Sequence, residues 1–396
     1  MWIERLIESS LRRHVELRPA VVVTGARQTG KTSLVRRLFS GFNYVSLDLP
    51  DHAATAEREP SLFLERHPPP LLVDESQYAP GLFRHLKIDI DAHRDQPGRF
   101  VLTGSQKFQL MREVSDSLAG RVAILELEPL SYAEVHRARP ELGPEQVALR
   151  GGYPELYQEP RLDPFEFYAS YVATYLERDV RSLLRVGNLR DFDRFLRACA
   201  FRSAQVLNKA ELARDVGISP STVNEWLSVL EASNQVALLE PWFVNRTRSM
   251  TKSPKLYLTD SGLLAFLLGL RSRDELERSP YKGAWWETFV FAELRKRYAL
   301  ASPGGRLYFW RDRAHEVDFL WHQGGRFRAL EAKWTETPAP KDLDGLRYLE
   351  RFLGPERKLS HAVICRAASA HPLAEAGRAL SAKDPWFEGD PGATAG

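Results

Sequence analysis

A glycine-rich segment near the start of the chain combines residue types that bind phosphate. Gly25 and Gly30 are separated by four residues and followed by Lys31 and Thr32, which fits the phosphate-loop pattern at every fixed position. The glycines let backbone N–H groups turn toward an anion, the lysine supplies a point charge, and the threonine hydroxyl can hold Mg²⁺. We therefore predict phosphate contacts from Gly25, Ala26, Arg27, Gln28, Thr29, Gly30, Lys31, Thr32 and Ser33.

Two adjacent carboxylates end the apolar segment at residues 71–75. We expect Asp74 to hold the Mg²⁺ shell and Glu75 to orient and polarise an attacking water. Transfer of phosphate to a substrate other than water does not require this second acid, so Glu75 favours hydrolysis. The alternative is an ordinary exposed acidic loop after a strand.

Polar residues also follow the next apolar segment. Ser105 ends it, and we expect its side chain to contact the γ-phosphate or the attacking water, although a simple turn would explain the same residues. Arg121 precedes the fifth apolar segment. It is either a surface arginine or a finger that stabilises transition-state charge at a neighbouring subunit's site.

A second set of chemical groups lies on a predicted hairpin. Glycines at positions 324 and 325 predict a two-residue turn that pairs Gln323 with Arg326. Counting outward sets Asp318 opposite Glu331, with Lys333 on the same face. Because facing carboxylates repel each other, they require a counter-charge. Either Lys333 is that charge, or Asp318 and Glu331 hold Mg²⁺ or Mn²⁺ while Lys333 orients an attacking water.

Residues 208–230 predict a helix–turn–helix with Gly217 at the turn, Ser219 as N-cap and Pro220 at the first position of the second helix. The expected core residues are Leu212, Val216, Val223, Leu227 and Leu230, and the expected outward residues are Ser221, Thr222, Asn224 and Glu225. This outward face has no Arg or Lys, which weakens a role in reading bases.

The segment after the helix–turn–helix, residues 241–256, is basic and contains no acid. It is either a wing that contacts DNA phosphates or a connector. The phosphate-contacting candidates are Arg246, Arg248, Lys252 and Lys255.

The elements that position the phosphate loop form an α/β pattern. Apolar segments at residues 20–24, 44–48, 71–74, 99–103 and 122–127 alternate with helical stretches, which predicts a parallel sheet flanked by helices. Residues 131–201 are mostly helical in pattern, and a tyrosine-rich stripe at positions 168, 171, 172 and 175 indicates one packed helix face.

Bulk composition bounds the remaining possibilities. A chain of 396 residues predicts more than one domain, and a net charge of +3 requires any nucleic-acid site to be local. Two cysteines predict reduced thiols. The chain has no apolar run of the roughly 20 residues that span a bilayer and no apolar signal core, so we expect a cytoplasmic protein without a membrane partner.

Together these motifs resemble AAA+ ATPases. More narrowly, the chain is similar to a prokaryotic group whose C-terminal domain has no assigned function and carries a winged helix and a restriction-endonuclease-like fold. The resemblance rests on the phosphate loop, Leu-Thr-Gly-Ser at 102–105, Leu-Ala-Gly-Arg-Val at 118–122 and Gly-Gly-Tyr-Pro-Glu at 151–155.

The resemblance implies a domain order and a cofactor set. It implies an AAA+ domain at 1–130, a helical lid at 131–200, a winged helix at 201–260, a nuclease-like domain at 261–384 and a flexible tail at 385–396. It adds Glu287, on a predicted helix, to the metal ligands Asp318 and Glu331. The implied cofactors are ATP and Mg²⁺, with Mn²⁺ as an option at the nuclease-like site.

The expected function is ATP hydrolysis coupled to DNA binding or remodelling, with metal-dependent DNA cleavage as a further activity. The expected partners are DNA and further copies of the chain, a hexameric ring being one candidate form. The alternative is an ATP-controlled scaffold or switch whose C-terminal domain binds a protein and is not a nuclease.

Overall fold

The computed structural model describes residues 2–105, 110, 114, 116–175, 189–243, 253–301, 305–312, 315–374 and 377–383. These residues belong to two compact units. The first unit comprises Met1–Leu130, Tyr153–Gln158 and Ala232–Asn234. The second comprises Ser131–Gly152, Glu159–Glu231 and Gln235–Gly396.

The described helices and strands follow in chain order. The helices are α1 (Glu8–Leu17), α2 (Lys31–Leu38), α3 (Pro50–Arg58), α4 (Pro60–Arg66), α5 (Leu82–Ala92), α6 (Tyr132–Ala138), α7 (Pro144–Arg150), α8 (Glu155–Gln158), α9 (Pro164–Tyr175), α10 (Leu189–Ala200), α11 (Lys209–Val216), α12 (Pro220–Ala232), α13 (Ser261–Leu268), α14 (Arg273–Arg278), α15 (Lys282–Ala301) and α16 (Asp344–Leu353). The strands are β1 (Ala20–Thr24), β2 (Asn43–Ser46), β3 (Leu71–Asp74), β4 (Phe100–Gly104), β5 (Val122–Glu126), β6 (Gln205–Val206), β7 (Val236–Leu239), β8 (Lys255–Leu258), β9 (Arg306–Asp312), β10 (His315–Gln323), β11 (Arg326–Ala332), β12 (Lys358–Cys365), β13 (His371–Leu373) and β14 (Gly377–Ser381).

The first unit is built on a five-stranded parallel sheet in the order β2-β3-β4-β1-β5. Strands β1, β3 and β4 are buried along their whole length, as expected for apolar strands covered on both faces. The predicted α/β fold with a parallel sheet is confirmed, and strand bounds differ from the expected ones by one or two residues. The insertion of β4 between β1 and β3 determines which loops meet at the sheet edge.

Helices of the second unit include the predicted tyrosine stripe, which lies buried on α9. Next to it, the carboxylate of Asp260 accepts hydrogen bonds from the Tyr168 hydroxyl at 2.6 Å and the Gly152 N–H at 2.7 Å. A Cβ at Gly151 would lie 1.8 Å from the Tyr168 hydroxyl. Close packing in this unit therefore requires glycine at position 151.

Helices α11 and α12 form the predicted pair, joined through Gly217 in the left-handed conformation (φ 81°). Their five expected core residues are buried, and Ser219 accepts a hydrogen bond from the Thr222 N–H at 3.1 Å, as an N-cap does. A three-stranded antiparallel sheet in the order β6-β8-β7 accompanies them.

The second unit also contains a six-stranded mixed sheet in the order β13-β14-β12-β11-β10-β9. The predicted hairpin register is confirmed at its turn end, where Gln323 pairs with Arg326, and it continues to Phe319 and Leu330. The apolar face of α16 packs against this sheet through Leu346 and Leu349. The hairpin thus brings Asp318 and Glu331 to the end of the paired segment.

In the part of the chain that the structure describes, no helix combines the length and apolarity needed to cross a membrane. The tail predicted at residues 385–396 lies outside the described residues.

Candidate nucleotide site and carboxylate cluster

The candidate nucleotide site lies at the carboxyl edge of the parallel sheet in the first unit. The phosphate loop follows β1, the acidic pair ends β3, and β4 lies between them. Ligands of open α/β sheets bind outside the carboxyl ends of the strands, so this edge is where a nucleotide is expected. The strand order explains why Ser105, the residue after β4, lies next to the acidic pair that ends β3.

The phosphate loop turns sharply between β1 and α2. Gly25 has a φ of 145°, and a Cβ there would lie 2.2 Å from the carbonyl oxygen of Leu127, so only glycine fits. The buried Lys31 ammonium donates to the carbonyl oxygens of Gly25 at 2.9 Å and Ala26 at 2.8 Å. The Thr29 hydroxyl also donates to Ala26, at 2.9 Å. These bonds hold the loop in a closed curve around its lysine.

The carboxylate of Asp74 is surrounded by hydroxyl groups. Thr32 Oγ1 donates to Oδ1 at 2.9 Å, Tyr44 donates to Oδ2 at 3.2 Å, and the Thr103 hydroxyl donates to Oδ1. Burial and then the Asp74 charge raise the pKa of Tyr44. Thr32 and Asp74 fit Mg²⁺, which proteins bind through one or two carboxylates together with substrate phosphates.

Glu75 adopts the left-handed backbone conformation (φ 53°), which is uncommon for a residue with a side chain. Its Oε2 accepts hydrogen bonds from the Ser105 N–H at 3.2 Å and the Ser105 hydroxyl at 2.9 Å, and from the Gln77 amide. Burial alone would raise the pKa of Glu75, but the hydrogen bonds and the Lys31 charge outweigh it and lower the pKa. The carboxylate is thus ionised and held in one orientation, beside the predicted Ser105.

Arg5 supports the loop from the N-terminal segment and was missed in the sequence. Its guanidinium is buried and donates to the Thr29 carbonyl at 2.9 Å and to the Glu128 carbonyl at 2.6 Å. It therefore ties the phosphate loop to the segment after β5. No local pattern marks Arg5, because both acceptors are backbone atoms distant in sequence.

Arg121 has a partner in its own unit. Its guanidinium forms a bidentate pair with Asp91 on α5, with Nε–Oδ1 at 2.8 Å and NH2–Oδ2 at 2.9 Å. The pair holds the pKa of Asp91 well below its usual range. A role in a neighbouring subunit's site stays a prediction, and the ion pair gives the arginine a fixed position.

The second unit contains a carboxylate cluster, which we define as Glu287, Glu316, Asp318 and Glu331. Glu287 lies on α15, the next two on β10 and the last on β11. The Asp318 N–H donates to Glu331 Oε2 at 3.4 Å, and Lys333 Nζ donates to Glu331 Oε1 at 2.7 Å. Burial and then the Asp318 charge raise the pKa of both Glu287 and Glu331.

The prediction that Lys255 contacts DNA is wrong. The basic segment predicts that it contacts DNA phosphates, but it is 2% exposed, and its ammonium lies among the carboxylates instead. Its Nζ is 2.6 Å from Glu316 Oε1, 2.9 Å from Glu287 Oε1 and 3.2 Å from Asp318 Oδ1. Arg246, Arg248 and Lys252, predicted beside it, lie outside the described residues.

The predicted metal ligands Glu287, Asp318 and Glu331 lie in one cluster, with a lysine among them. Among the described residues, no group of three or more His, Cys, Asp or Glu side chains is arranged to hold a metal ion. The Lys255 ammonium is within 3.2 Å of both Glu287 and Asp318, so it occupies the space between two of the three expected ligands. The sequence did not indicate Glu316 or Tyr257 as members of this site. The Tyr257 hydroxyl donates to Glu287 at 2.6 Å.

Three family models match successive parts of the chain. Residues 17–136 match a model described as an AAA domain, residues 141–274 match a domain of unknown function (DUF8612), and residues 282–383 match another (DUF4143). The chain is 34% identical over 346 residues to the uncharacterized protein Rv2008c of Mycobacterium tuberculosis, covering 86% of this chain and 76% of that protein. The uncharacterized protein Mb2031c of Mycobacterium bovis matches equally.

Solved structures with partial similarity include two archaeal proteins. The Walker-type ATPase paby2304 of Pyrococcus abyssi is 16% identical, with a TM-score of 0.46, over 67% of this chain and 96% of that chain. The ORC2 protein of Aeropyrum pernix in its ADP form is 14% identical, with a TM-score of 0.33, over 69% of this chain and 95% of that chain.

Replacing Arg5 tests whether it supports the phosphate loop. Arg5→Met keeps the aliphatic length but leaves the Thr29 and Glu128 carbonyls without their charged donor, so the dissociation constant for Mg-ATP should rise about 10-fold or more. Isothermal titration calorimetry measures this constant, and a melting curve verifies folding. Arg13→Met, on the exposed face of α1, is the matched control. Unchanged ATP affinity in a folded Arg5→Met protein would contradict the assignment.

Proposed function

The chain belongs to the same family as Rv2008c of Mycobacterium tuberculosis and contains an AAA domain, and we propose that it hydrolyses Mg-ATP and uses the cycle on DNA. Its first unit is an AAA-type P-loop ATPase domain. The observation that carries hydrolysis is the orientation of Glu75, an ionised carboxylate held by Ser105 and Gln77 beside the phosphate loop.

Each group at the site has a role in phosphoryl transfer to water. When a nucleotide binds, the Lys31 ammonium replaces its hydrogen bonds to the loop carbonyls with hydrogen bonds to phosphate oxygens. The N–H groups of the loop bind the same phosphates. Thr32 and Asp74 would hold Mg²⁺, which would supply positive charge to neutralise the phosphates. Glu75 orients the attacking water. Because the pKa of Glu75 is lowered, its carboxylate is better suited to polarising the water than to accepting a proton from it.

Two substitutions separate binding from hydrolysis. Lys31→Ala should lose nucleotide binding because the phosphate charge has no partner. Glu75→Gln should bind ATP normally and lower kcat by roughly 10²–10⁴-fold, the usual contribution of such a group. Phosphate release and equilibrium nucleotide binding measure the two effects, with Glu65→Gln, an exposed acid of the same unit, as control. Wild-type turnover by Glu75→Gln would refute the role of Glu75.

The active form is proposed to be a homo-oligomer in which Arg121, positioned by Asp91, contributes to a neighbour's site. Mixing Arg121→Ala and Lys31→Ala subunits should restore part of the ATPase activity, because mixed interfaces regain one complete site. Full activity from a protein that stays monomeric in sedimentation would exclude this arrangement.

DNA as a partner is supported by a basic concavity in the second unit. The concavity has a volume of about 1060 Å³ and is lined by five cations, Arg326, Arg328, Arg351, Arg357 and Lys358, and by one acid, Glu350. Its net charge of +4 exceeds the +3 of the whole chain. Polyanions such as the nucleic-acid backbone are attracted to such local concentrations of positive charge.

The geometry of these cations suits repeated phosphates. Arg326 and Lys358 begin adjacent strands and are direct partners in the parallel β11–β12 register. Arg357 lies over the Phe327 ring at 5.9 Å, which fixes its guanidinium while its N–H groups stay available. Among the described residues, none of Arg326, Arg351, Arg357 and Lys358 forms an ion pair with a carboxylate. Their charge is therefore available to a partner.

Charge removal tests the concavity. The fourfold variant Arg326→Gln, Arg351→Gln, Arg357→Gln and Lys358→Gln should bind duplex DNA more weakly, and its salt slope should fall by about 0.9 for each phosphate that is no longer neutralised. Fluorescence anisotropy of two unrelated duplexes across a salt series measures both quantities. A control variant replaces four exposed cations of the same unit outside the concavity, Arg278, Arg306, Lys341 and Arg378, by Gln.

Three results of this titration have distinct meanings. Equal weakening of DNA binding in both variants would show that only net charge matters and would remove the concavity from the proposal. Absence of DNA binding by wild type at low salt would remove DNA itself. Displacement of DNA by poly-glutamate at equal charge would favour an acidic protein as the partner.

The second unit is proposed to contain a winged helix and a nuclease-like fold. The pair α11–α12 with its three-stranded sheet, and the β10–β11 hairpin with its acids, support these proposals. The finer proposal is DNA cleavage at Glu287, Asp318, Glu331 and Lys333. The alternative is an ATP-controlled scaffold whose C-terminal domain binds a protein and does not cut, and it is favoured by the Lys255 ammonium among these acids. A plasmid-nicking assay with Mg²⁺ or Mn²⁺ distinguishes the two.

A further inference from the structure

The Lys255 ammonium is a buried charge with an unusual number of partners. It stands at the first position of β8, is 2% exposed and lies within 3.2 Å of three carboxylates. Burying an ammonium is costly unless it is both paired and hydrogen-bonded. Three acceptors for the three N–H donors of a lysine satisfy this requirement completely.

The buried carboxylates of Asp318 and Glu287 also require a neighbouring positive charge. Asp318 and Glu287 are both largely buried, with side chains 8% and 14% exposed. Lys333, the lysine expected from the sequence to balance Asp318 and Glu331, bonds to Glu331 and is 37% exposed. Among the described residues, Lys255 is the only cation in hydrogen-bond contact with Glu287 and Asp318.

The cluster also joins separate elements of the second unit. Lys255 comes from the three-stranded sheet, Glu287 from α15, and Glu316 and Asp318 from β10. The neighbouring Tyr257, two residues along β8 and so on the same face, donates its hydroxyl to Glu287 at 2.6 Å. Lys255 therefore reaches the acids from a strand that is itself fixed against them.

We propose that Lys255 is the resident cation of this cluster and that it excludes divalent metal from Glu287 and Asp318. The ammonium takes the central position that a metal ion would need, because it already lies within bonding distance of both carboxylates. The C-terminal domain therefore binds no Mg²⁺ or Mn²⁺ at these two acids while Lys255 is present. The inference rests on the proposed carboxylate set and is independent of ATP hydrolysis.

The test counts Mn²⁺ bound to the full chain by electron paramagnetic resonance. All proteins carry Asp74→Ala, so that the nucleotide site does not contribute. With Lys255 present we expect no Mn²⁺ at the cluster, and with Lys255→Met we expect about one Mn²⁺ per chain, accompanied by a rise in Tm on adding the ion. Lys255→Arg, which keeps a cation, should exclude Mn²⁺ like wild type.

A charge-balanced variant keeps the test decisive if Lys255→Met is unstable. Lys255→Met with Asp318→Asn removes one charge of each sign, so it should fold and still bind no Mn²⁺, because a metal ligand is missing. If Lys255→Met alone is unfolded without metal, Mn²⁺ should restore its melting transition, and failure to do so would overturn the proposal.

Other outcomes are equally clear. Mn²⁺ bound at one per chain in the Asp74→Ala protein with Lys255 intact would overturn the proposal, as would a folded Lys255→Met protein that binds none. ATP hydrolysis by Lys255→Met with Asp74 intact is measured separately. Its loss would concern the proposed ATPase cycle and would leave the metal result standing.

Discussion

The buried carboxylate of Asp74 is the constraint around which the candidate nucleotide site of the first unit is arranged. A carboxylate removed from water needs hydrogen-bond donors, and three segments supply them as hydroxyls: Thr32 from α2, Thr103 from β4 and Tyr44 from β2. These segments meet at one point because β3 lies between β2 and β4 in the sheet. The strand order and the position of the phosphate loop thus both serve to supply hydroxyl donors to Asp74.

The two acidic sites of the chain differ in what neutralises them. At Asp74 the donors are neutral hydroxyls, which a metal ion can replace or share without leaving a charge unpaired. At Asp318 the partner is the Lys255 ammonium, and separating a buried ion pair leaves two uncompensated charges. The first site is therefore open to a cation, whereas the second is closed to one as long as β8 stays in position.

Features that depend on neighbouring residues were predictable from the sequence. The turn at positions 324 and 325 sets the hairpin register because a two-residue loop permits one pairing, and Gln323 does pair with Arg326. The Ser219 cap and the buried stripe of α9 follow from helix geometry in the same way. The phosphate loop and its acids were predictable because the chemistry of phosphate demands particular residue types at particular spacings.

The sequence by itself determined the parallel sheet, the phosphate loop and the facing acids of the hairpin, since each is encoded in short-range pattern. Only the tertiary structure decided the roles of Lys255 and Arg5. Lys255 lies in a basic segment whose composition indicates a solvent-exposed surface, yet its partner Asp318 is 63 residues away, and Arg5 reaches a carbonyl 123 residues away. A charge is exposed or buried according to what packs around it, and partners this distant are set by the fold.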